Sequence, residues 1–383
     1  MNIEKLFLQI DNLENEYINF LIDVCNIESP TDYKQGVDAV GKYFIDKAKE
    51  KGWEIEISPQ EVSGDAICIT MNANANKKPV CISGHMDTVH PLGLFPKNPT
   101  VIKEDKIYGP GVADCKGGIV AGFMAMDALQ RIGFTDRPVK LILQSDEENG
   151  SRFSNKETVK FMAEKSKDCI AFLNGEPYSE GLITIERKGI KKYAFEITGK
   201  AVHSSICFTG ASAITEASYK VIELEKFKVK EGITCNCGII NGGTAENTVP
   251  EKCTITADFR YKTVEQGKFI DEFVVELAKK SFIDGTSTIP ALKSWRYPME
   301  KTQKNQELVE KINKIYKKAG MIELTPKLGL GGADSADMTV AGIPTVDCVG
   351  TEGKYIHNVN EFIFKKSLVE SAKRYASVVC CIK

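Results

Sequence analysis

The stretch Ser83-Gly-His-Met-Asp-Thr-Val-His90 sets two histidines and an aspartate within six residues of a chain that holds only four histidines. It follows the apolar run Pro79-Val-Cys-Ile82, which reads as a buried strand. Side chains alternate faces along an extended chain, so His85 and Asp87, at i and i+2, project to one side. A carboxylate beside an imidazole is the usual orienter of a metal-bound or catalytic histidine. His90 falls off that face, next to Pro91, and reads as an ordinary loop histidine.

Further carboxylates follow predicted strands. Asp114 lies in Gly-Pro-Gly-Val-Ala-Asp-Cys-Lys-Gly-Gly, a glycine-rich approach to a helix; Asp146, Glu147 and Glu148 follow Leu-Ile-Leu-Gln-Ser; Glu176 follows Ala-Phe-Leu-Asn-Gly; and His357 sits near the C-terminus. Taken singly, each acidic residue would serve equally as a turn former or a solvated charge. Their concurrence carries more weight, because strand ends of a doubly wound sheet converge on one crevice. Carboxylates crowded there repel one another unless cations are present. Two histidines with several carboxylates and no cysteine suit zinc, cobalt or manganese better than a soft metal.

These motifs, in this order and over nearly the whole chain, resemble the zinc-dependent peptidase and deacylase family of glutamate carboxypeptidase (carboxypeptidase G type), acetylornithine deacetylase and succinyl-diaminopimelate desuccinylase. The glutamate carboxypeptidase type is the nearest likeness. The resemblance implies two divalent metal ions, one held by His85, Asp114 and Glu176 and the other by Asp114, Glu148 and His357. Asp114 would bridge, Asp87 would orient His85, and Glu147 would be the general base. A bridging carboxylate holds two metals about 3.5–4 Å apart, a separation that clamps a nucleophile and a developing oxyanion. Two dications less three carboxylates leave one positive charge, which favours bound hydroxide over water.

The same resemblance assigns His203, in Gly-Lys-Ala-Val-His-Ser-Ser, to the oxyanion, commonly from a partner subunit. It makes Asn247 and Arg260 ligands of a substrate carboxylate, a role the planar guanidinium fork suits. It gives Gly331 and Gly332, in Leu-Gly-Leu-Gly-Gly-Ala-Asp-Ser-Ala-Asp, a substrate-contacting loop. Read without it, these are a surface histidine, a turn asparagine, an edge-strand arginine and a helix-leading turn. Cys115 and Cys207 read as packing or incidental residues, since thiolate chemistry needs a depressed pKa.

Several elements must position these groups. Apolar spacing predicts helices near 12–26 and 35–51, strands near 53–58, 65–71 and 79–83, a helix near 116–132, a strand at 139–145, a helix near 155–165 and a strand at 169–173. Strands near 190–198, 232–240, 252–261 and 289–296 then flank helices near 211–226 and 264–280, an order that suits a small ferredoxin-like domain. The α/β pattern resumes with a helix near 304–319, a strand at 344–349 and a helix near 366–380. The expected architecture is α/β: a helix-flanked mixed, mostly parallel sheet (1–187 and 299–383) interrupted by an inserted ferredoxin-like α+β lid or dimerisation domain (188–298).

A net charge of −2 gives no support to nucleic acid or an anionic membrane as partner. No uncharged run reaches the roughly 20 residues that span a bilayer. The 12 cysteines are scattered, many in apolar runs, which suits a reducing compartment and a cytoplasmic protein. The expected substrate is a small peptide or N-acyl amino acid with a free carboxylate, and a homodimer would form through the inserted domain. Glutamate at position 176 accords, within the family, with carboxypeptidases and deacylases; aminopeptidase-type members usually carry aspartate. Three functions are thus weighed: a di-metal exopeptidase that hydrolyses the amide next to a C-terminal residue through metal-bound hydroxide, an N-acyl amino acid deacylase, and a non-catalytic metal-binding scaffold. The scaffold should have lost Glu147 or a ligand, and every one is present.

Overall fold

The structure, a computed structural model, describes residues 2–229 and 232–383. The chain divides into two units: one of residues up to Glu186, Lys301–Leu328 and Ala333–Lys383, the other of Arg187–Glu300 and Gly329–Gly332.

The first unit opens with helices α1 (Ile3–Asn12), α2 (Glu14–Cys25) and α3 (Lys34–Glu50), followed by strands β1 (Glu54–Ser58), β2 (Ala66–Met71) and β3 (Val80–His85). Helix α4 (Gly117–Arg131), β4 (Val139–Gln144), α5 (Glu157–Ser166) and β5 (Ala171–Asn174) follow. The sheet order is β1-β2-β4-β3-β5 with the two-residue strand Thr345–Val346 outermost. The pairs β4–β3, β3–β5 and β5 with Thr345–Val346 are parallel; β1–β2 and β2–β4 are antiparallel. Central strands buried on both faces should be apolar throughout rather than alternating. Accordingly β2 and β3 are buried at every position.

From β3 the chain crosses through α4 to β4 on one side, then through α5 to β5 on the other. That reversal opens a crevice beyond the carboxyl ends of β3, β4 and β5. Helix α4 is buried from Gly117 to Leu129 and packs against the closing helix Lys365–Cys381. It lies so close that a Cβ on Gly118 would come within 2.0 Å of the Gly175 carbonyl oxygen. Any side chain there would push the chain beyond β5 away from the helix.

The second unit is an antiparallel sheet of β6 (Gly189–Thr198), β7 (Thr234–Gly242), β8 (Lys252–Tyr261) and β9 (Ser287–Arg296), in the order β7-β8-β6-β9. Two helices, α6 (Ala213–Glu225) and α7 (Val264–Lys279), cover it. Strand β8 alternates exposed or half-buried with buried residues, the pattern of a sheet with one covered face. Its core includes Phe195, Ile255, Phe259 and Val274. Thr263 and Gln266 form a reciprocal capping box at the start of α7.

Among the departures from the sequence reading are three features. Helix α1 precedes the first expected helix and is capped by Asn2, whose side chain accepts from the Glu4 and Lys5 N–H groups. A small sheet joins Gly353–Lys354, Phe362–Phe364, Lys106–Tyr108 and Val101–Lys103, strands of two or three residues too short to show alternation. Gly329–Gly332, expected with the large domain, groups with the second unit, where Lys188 N–H reaches the Gly329 carbonyl and Arg187 Nη1 the Gly331 carbonyl. Among the described residues no helix is long and apolar enough to cross a membrane.

Candidate metal centre

Three strands of the first unit deliver the cluster. His85 is the last residue of β3, Glu147 and Glu148 lie just past β4, and Glu176 lies just past β5. Asp114 sits in the turn before α4, and its peptide bond to Cys115 is cis. His357 hangs from the hairpin between Gly353–Lys354 and Phe362–Phe364, which pairs with Lys106–Tyr108, the strand leading to Asp114. The small sheet missed in the sequence is therefore what brings the fourth quarter of the chain to Asp114.

Asp114 is shared. Its Oδ1 is 3.0 Å from His85 Nε2, and its Oδ2 is 3.1 Å from His357 Nε2. Glu176 Oε1 is 3.8 Å from His85 Nε2, and Glu148 Oε2 is 3.3 Å from His357 Nε2. Ligand atoms of His85, Asp114 and Glu148 all lie within 4.8 Å of one another. His357 is half exposed, whereas the carboxylates are nearly covered.

Asp87 holds the rim. His85 Nδ1 faces the Asp87 main-chain carbonyl at 3.0 Å and its carboxylate at 3.3 Å, so both parts of this residue orient the ring. The same carboxylate accepts from Glu147 N–H at 3.2 Å, from Glu148 N–H at 3.1 Å and from the Thr31 hydroxyl at 2.7 Å. One buried aspartate thus fixes the turn that carries both glutamates. Asp146 instead supports the fold. It accepts from Ser154 N–H and the Thr158 hydroxyl, tying the turn to the start of α5.

The electrostatics fit cations. Burial and the charges of Asp114 and Glu147 push the Glu148 carboxyl up to about 7, and burial with the Asp114 charge raises Glu176 well above its ordinary value. Burial would raise Asp114 too, but hydrogen bonds from His357 and His85 hold it below the carboxylate range. Anionic groups this crowded cost free energy until positive charge neutralises them. Oxygen and imidazole donors around a shared carboxylate suit two divalent ions of borderline hardness.

Cys115 also lies beside His85 and Glu176. Its thiol is buried and donates to the Gly175 carbonyl at 3.2 Å, and burial pushes its pKa well up, the environment of a packing thiol. His90 is not an open loop histidine: it is buried, edge-on to Phe95, with Nε2 3.9 Å from Glu361.

Glu361 is the residue that sequence reasoning passed over, although it stands four positions after His357. Its buried carboxylate accepts from Gly111 N–H at 3.2 Å, Ala113 N–H at 2.7 Å and Asp114 N–H at 3.0 Å. Gly111, at φ +71°, supplies the left-handed bend that aims these N–H groups together. Beneath, the buried Lys116 ammonium donates to the Val24 and Ile27 carbonyls and pins the turn to the end of α2.

The remaining expected site residues belong to the second unit. His203 is exposed; its Nδ1 accepts from Ser205 N–H at 3.2 Å, and the following N–H of Ser204 bonds the Asn247 carbonyl at 2.9 Å. The fold thus joins the His203 and Asn247 loops. The Arg260 fork is engaged by Asp258, Nε to Oδ1 at 2.7 Å and Nη2 to Oδ2 at 3.1 Å, so a substrate carboxylate would have to compete for it. The Gly331 carbonyl accepts from Arg187, and a Cβ on Gly332 would meet Arg296 Cδ at 2.4 Å.

A mixed sheet whose carboxyl edge gathers two imidazoles around one shared carboxylate is the framework of a metal-dependent hydrolase. Comparison with known proteins agrees. The model of Peptidase family M20/M25/M40 matches residues 81–380. Carboxypeptidase G2 of Pseudomonas sp. (strain RS-16) is 28% identical over 361 residues, 92% of this chain and 86% of that protein. A probable succinyl-diaminopimelate desuccinylase of Staphylococcus aureus (strain MRSA252) is 24% identical, over 79% of this chain and 80% of that one. In fold, the crystal structure of a tripeptidase from Staphylococcus aureus matches 96% of this chain and 97% of that one, with TM-score 0.77 at 21% identity. The chain belongs to the M20/M25/M40 peptidase family, and it is an enzyme of peptidase or amidohydrolase type.

Proposed function

We propose that this enzyme is a di-metal carboxypeptidase that hydrolyses the amide bond next to a C-terminal amino acid, glutamate foremost. The two-sided position of Asp114 between His85 and His357 carries the reading. His85, Asp114 and Glu176 would hold one divalent ion and Asp114, Glu148 and His357 the other, with zinc the first choice by donor type. When bound, such ions supply Lewis acidity and lower the pKa of water.

The residues do the rest. Glu147 takes a proton from the attacking water and passes it to the leaving nitrogen. Asp87, by holding the Glu147 and Glu148 N–H groups, keeps that base and the neighbouring ligand on separate courses. His203 receives an N–H at Nδ1, which leaves the proton of a neutral ring on Nε2, the donor that an oxyanion needs. Asn247 and Arg260, with the Gly331–Gly332 loop, would meet the free carboxylate of the substrate. A homodimer through the second unit and a cytoplasmic setting belong to the same reading.

The likeness to carboxypeptidase G2, higher in identity and coverage than that to the desuccinylase, favours the carboxypeptidase. The alternative, an N-acyl amino acid deacylase, shares every group of the metal centre and differs in the pocket. Release of glutamate from benzoyl- and peptidyl-glutamates should exceed release of acetate or succinate from N-acetylornithine and N-succinyl-diaminopimelate. The reverse order would establish the deacylase instead.

A further inference from the structure

A cavity of about 1040 Å³ lies in the first unit, at the opposite end of the strands that carry the metal centre. Lys78, Arg137 and Ile170, which line it, stand just before β3, β4 and β5. Strands of this length advance roughly 20 Å. The cavity is therefore at the amino edge of the sheet, remote from the metal centre at the carboxyl edge.

Its lining has two chemistries. Ile170, Ile315, Ala319 and Ile382 give an aliphatic wall. Lys311, Lys314 and Lys318 form one stripe of the helix Gln303–Lys318, at spacings of three and four residues. The helix turns Leu308, Ile312 and Tyr316 into the core, leaving that stripe to the cavity. Among the described residues, neither these three lysines nor Lys78 has an ion-pair partner, whereas Lys77 is matched by Asp136 and Lys317 by Glu323. Like charges three and four apart on a helix repel. Arg137 adds a buried charge whose hydrogen bonds go to main chain: its Nη atoms donate to the Lys78 and Ile382 carbonyls and its Nε has no hydrogen-bond partner, while Asp136, the one acidic side chain in the lining and already paired with Lys77, acts on it through space.

Unbalanced cations around an aliphatic wall call for a ligand with the complementary division. Among the described residues no aromatic side chain lines the cavity, so none there offers a base a stacking surface. We propose that this cavity binds a small anionic amphiphile, an aliphatic chain carrying a carboxylate or phosphate head, with the chain along Ile170, Ile315 and Ile382 and the head among Lys78, Lys314 and Lys318.

Cys380 and Cys381 also line the cavity, and they report on its occupancy; the exposed Cys207, in the second unit, is an internal control. The full chain is titrated calorimetrically with decanoate and decyl phosphate below micellar concentration, with pyrophosphate as head alone and decanol as tail alone. Iodoacetamide labelling is mapped by mass spectrometry in parallel. A decyl anion should bind about tenfold more tightly than either half-ligand and should slow labelling of Cys381 but not Cys207. The preferred head identifies carboxylate or phosphate. The Lys314→Glu/Lys318→Glu double variant, on the outer face of a helix, should keep its circular dichroism and lose about tenfold in affinity. Equal binding of pyrophosphate or decanol, unprotected Cys381, or unchanged affinity in the folded double variant would each overturn the proposal.

Discussion

At the scale of single residues, the centre separates two neighbouring glutamates by environment. Glu148 faces His357 at 3.3 Å, while Glu147 is buried on the adjoining position, and both main-chain N–H groups are held by Asp87. If Glu147 is the base, replacing its carboxylate with a carboxamide of the same shape removes proton transfer and leaves the ligands untouched. Glu147→Gln should bind two metal equivalents and lose about 10²–10⁴-fold in kcat. Metal analysis beside steady-state kinetics checks this; near-normal turnover would remove Glu147 from that role. These groups were legible in the sequence because each is a charged or imidazole side chain placed directly after an apolar run, as at His85, Glu147 and Glu176. Glu361 was harder to see. Its partners are main-chain N–H groups, and a residue that binds backbone leaves no complementary side chain in the sequence to signal it.

At the scale of elements, the strands and helices long enough to show a period were legible, and the short ones were not. Strand β8, with ten residues, displays its alternation; Gly353–Lys354, with two, cannot. Yet the short hairpin sets His357 and Glu361 against the Asp114 turn. Glu361→Gln tests how much the turn depends on it. A glutamine keeps one acceptor oxygen for Ala113 and Asp114, but its amide turns a donor toward the Gly111 N–H, now bonded at 3.2 Å. Metal affinity, measured against a competing chelator, should fall about 10-fold or more, as is usual when support of a metal ligand is removed. Unchanged affinity would reduce Glu361 to a packing residue. Another junction ties α2, the end of α3 and α4 through Asp127, which accepts from Tyr17 at 2.9 Å, Lys51 at 2.8 Å and Arg131 at 3.1 Å. Burial would raise its carboxyl, but Arg131 and Lys51 outweigh burial and hold it low. A folded pKa below the unfolded value of about 3.9 makes the contribution whole above about pH 4 and lost as pH falls through the folded value. With both cations partly exposed, Asp127→Asn should cost about 2 kcal/mol at pH 7. The gap in stability between wild type and variant should narrow below about pH 4. Denaturant titrations across pH would show it, and a gap independent of pH would point to packing instead.

At the scale of the molecule, the centre draws on positions from His85 to His357 within the first unit, on both sides of the insertion. The sequence shows that insertion as a change from β-α alternation to long, evenly spaced strands around two helices. It does not show that Gly329–Gly332 leaves the first unit, because that depends on bonds from the Arg187 guanidinium and the Lys188 N–H to main-chain carbonyls. The five proposed ligands, from three strand ends, the turn before α4 and a short hairpin, come together only when the first unit is folded, so ions bound there would stabilise that state by linkage. At a free metal concentration 100 times the dissociation constant the gain is about 2.7 kcal/mol, and for a unit of this size chelation should lower Tm by roughly 5–10 °C. The effect should also be local. Without cations, only the His85 and His357 imidazoles offset the crowded carboxylates of Asp114, Glu148 and Glu176, so the turns that carry them are expected to loosen first. Hydrogen exchange on chelation should therefore rise in residues 109–116, 145–150, 175–177 and 355–361, while β6–β9 keep their protection. Zinc added back should restore both Tm and protection. A Tm indifferent to chelation, or exchange that rises equally through β6–β9, would mean that these side chains hold no structural pair of ions.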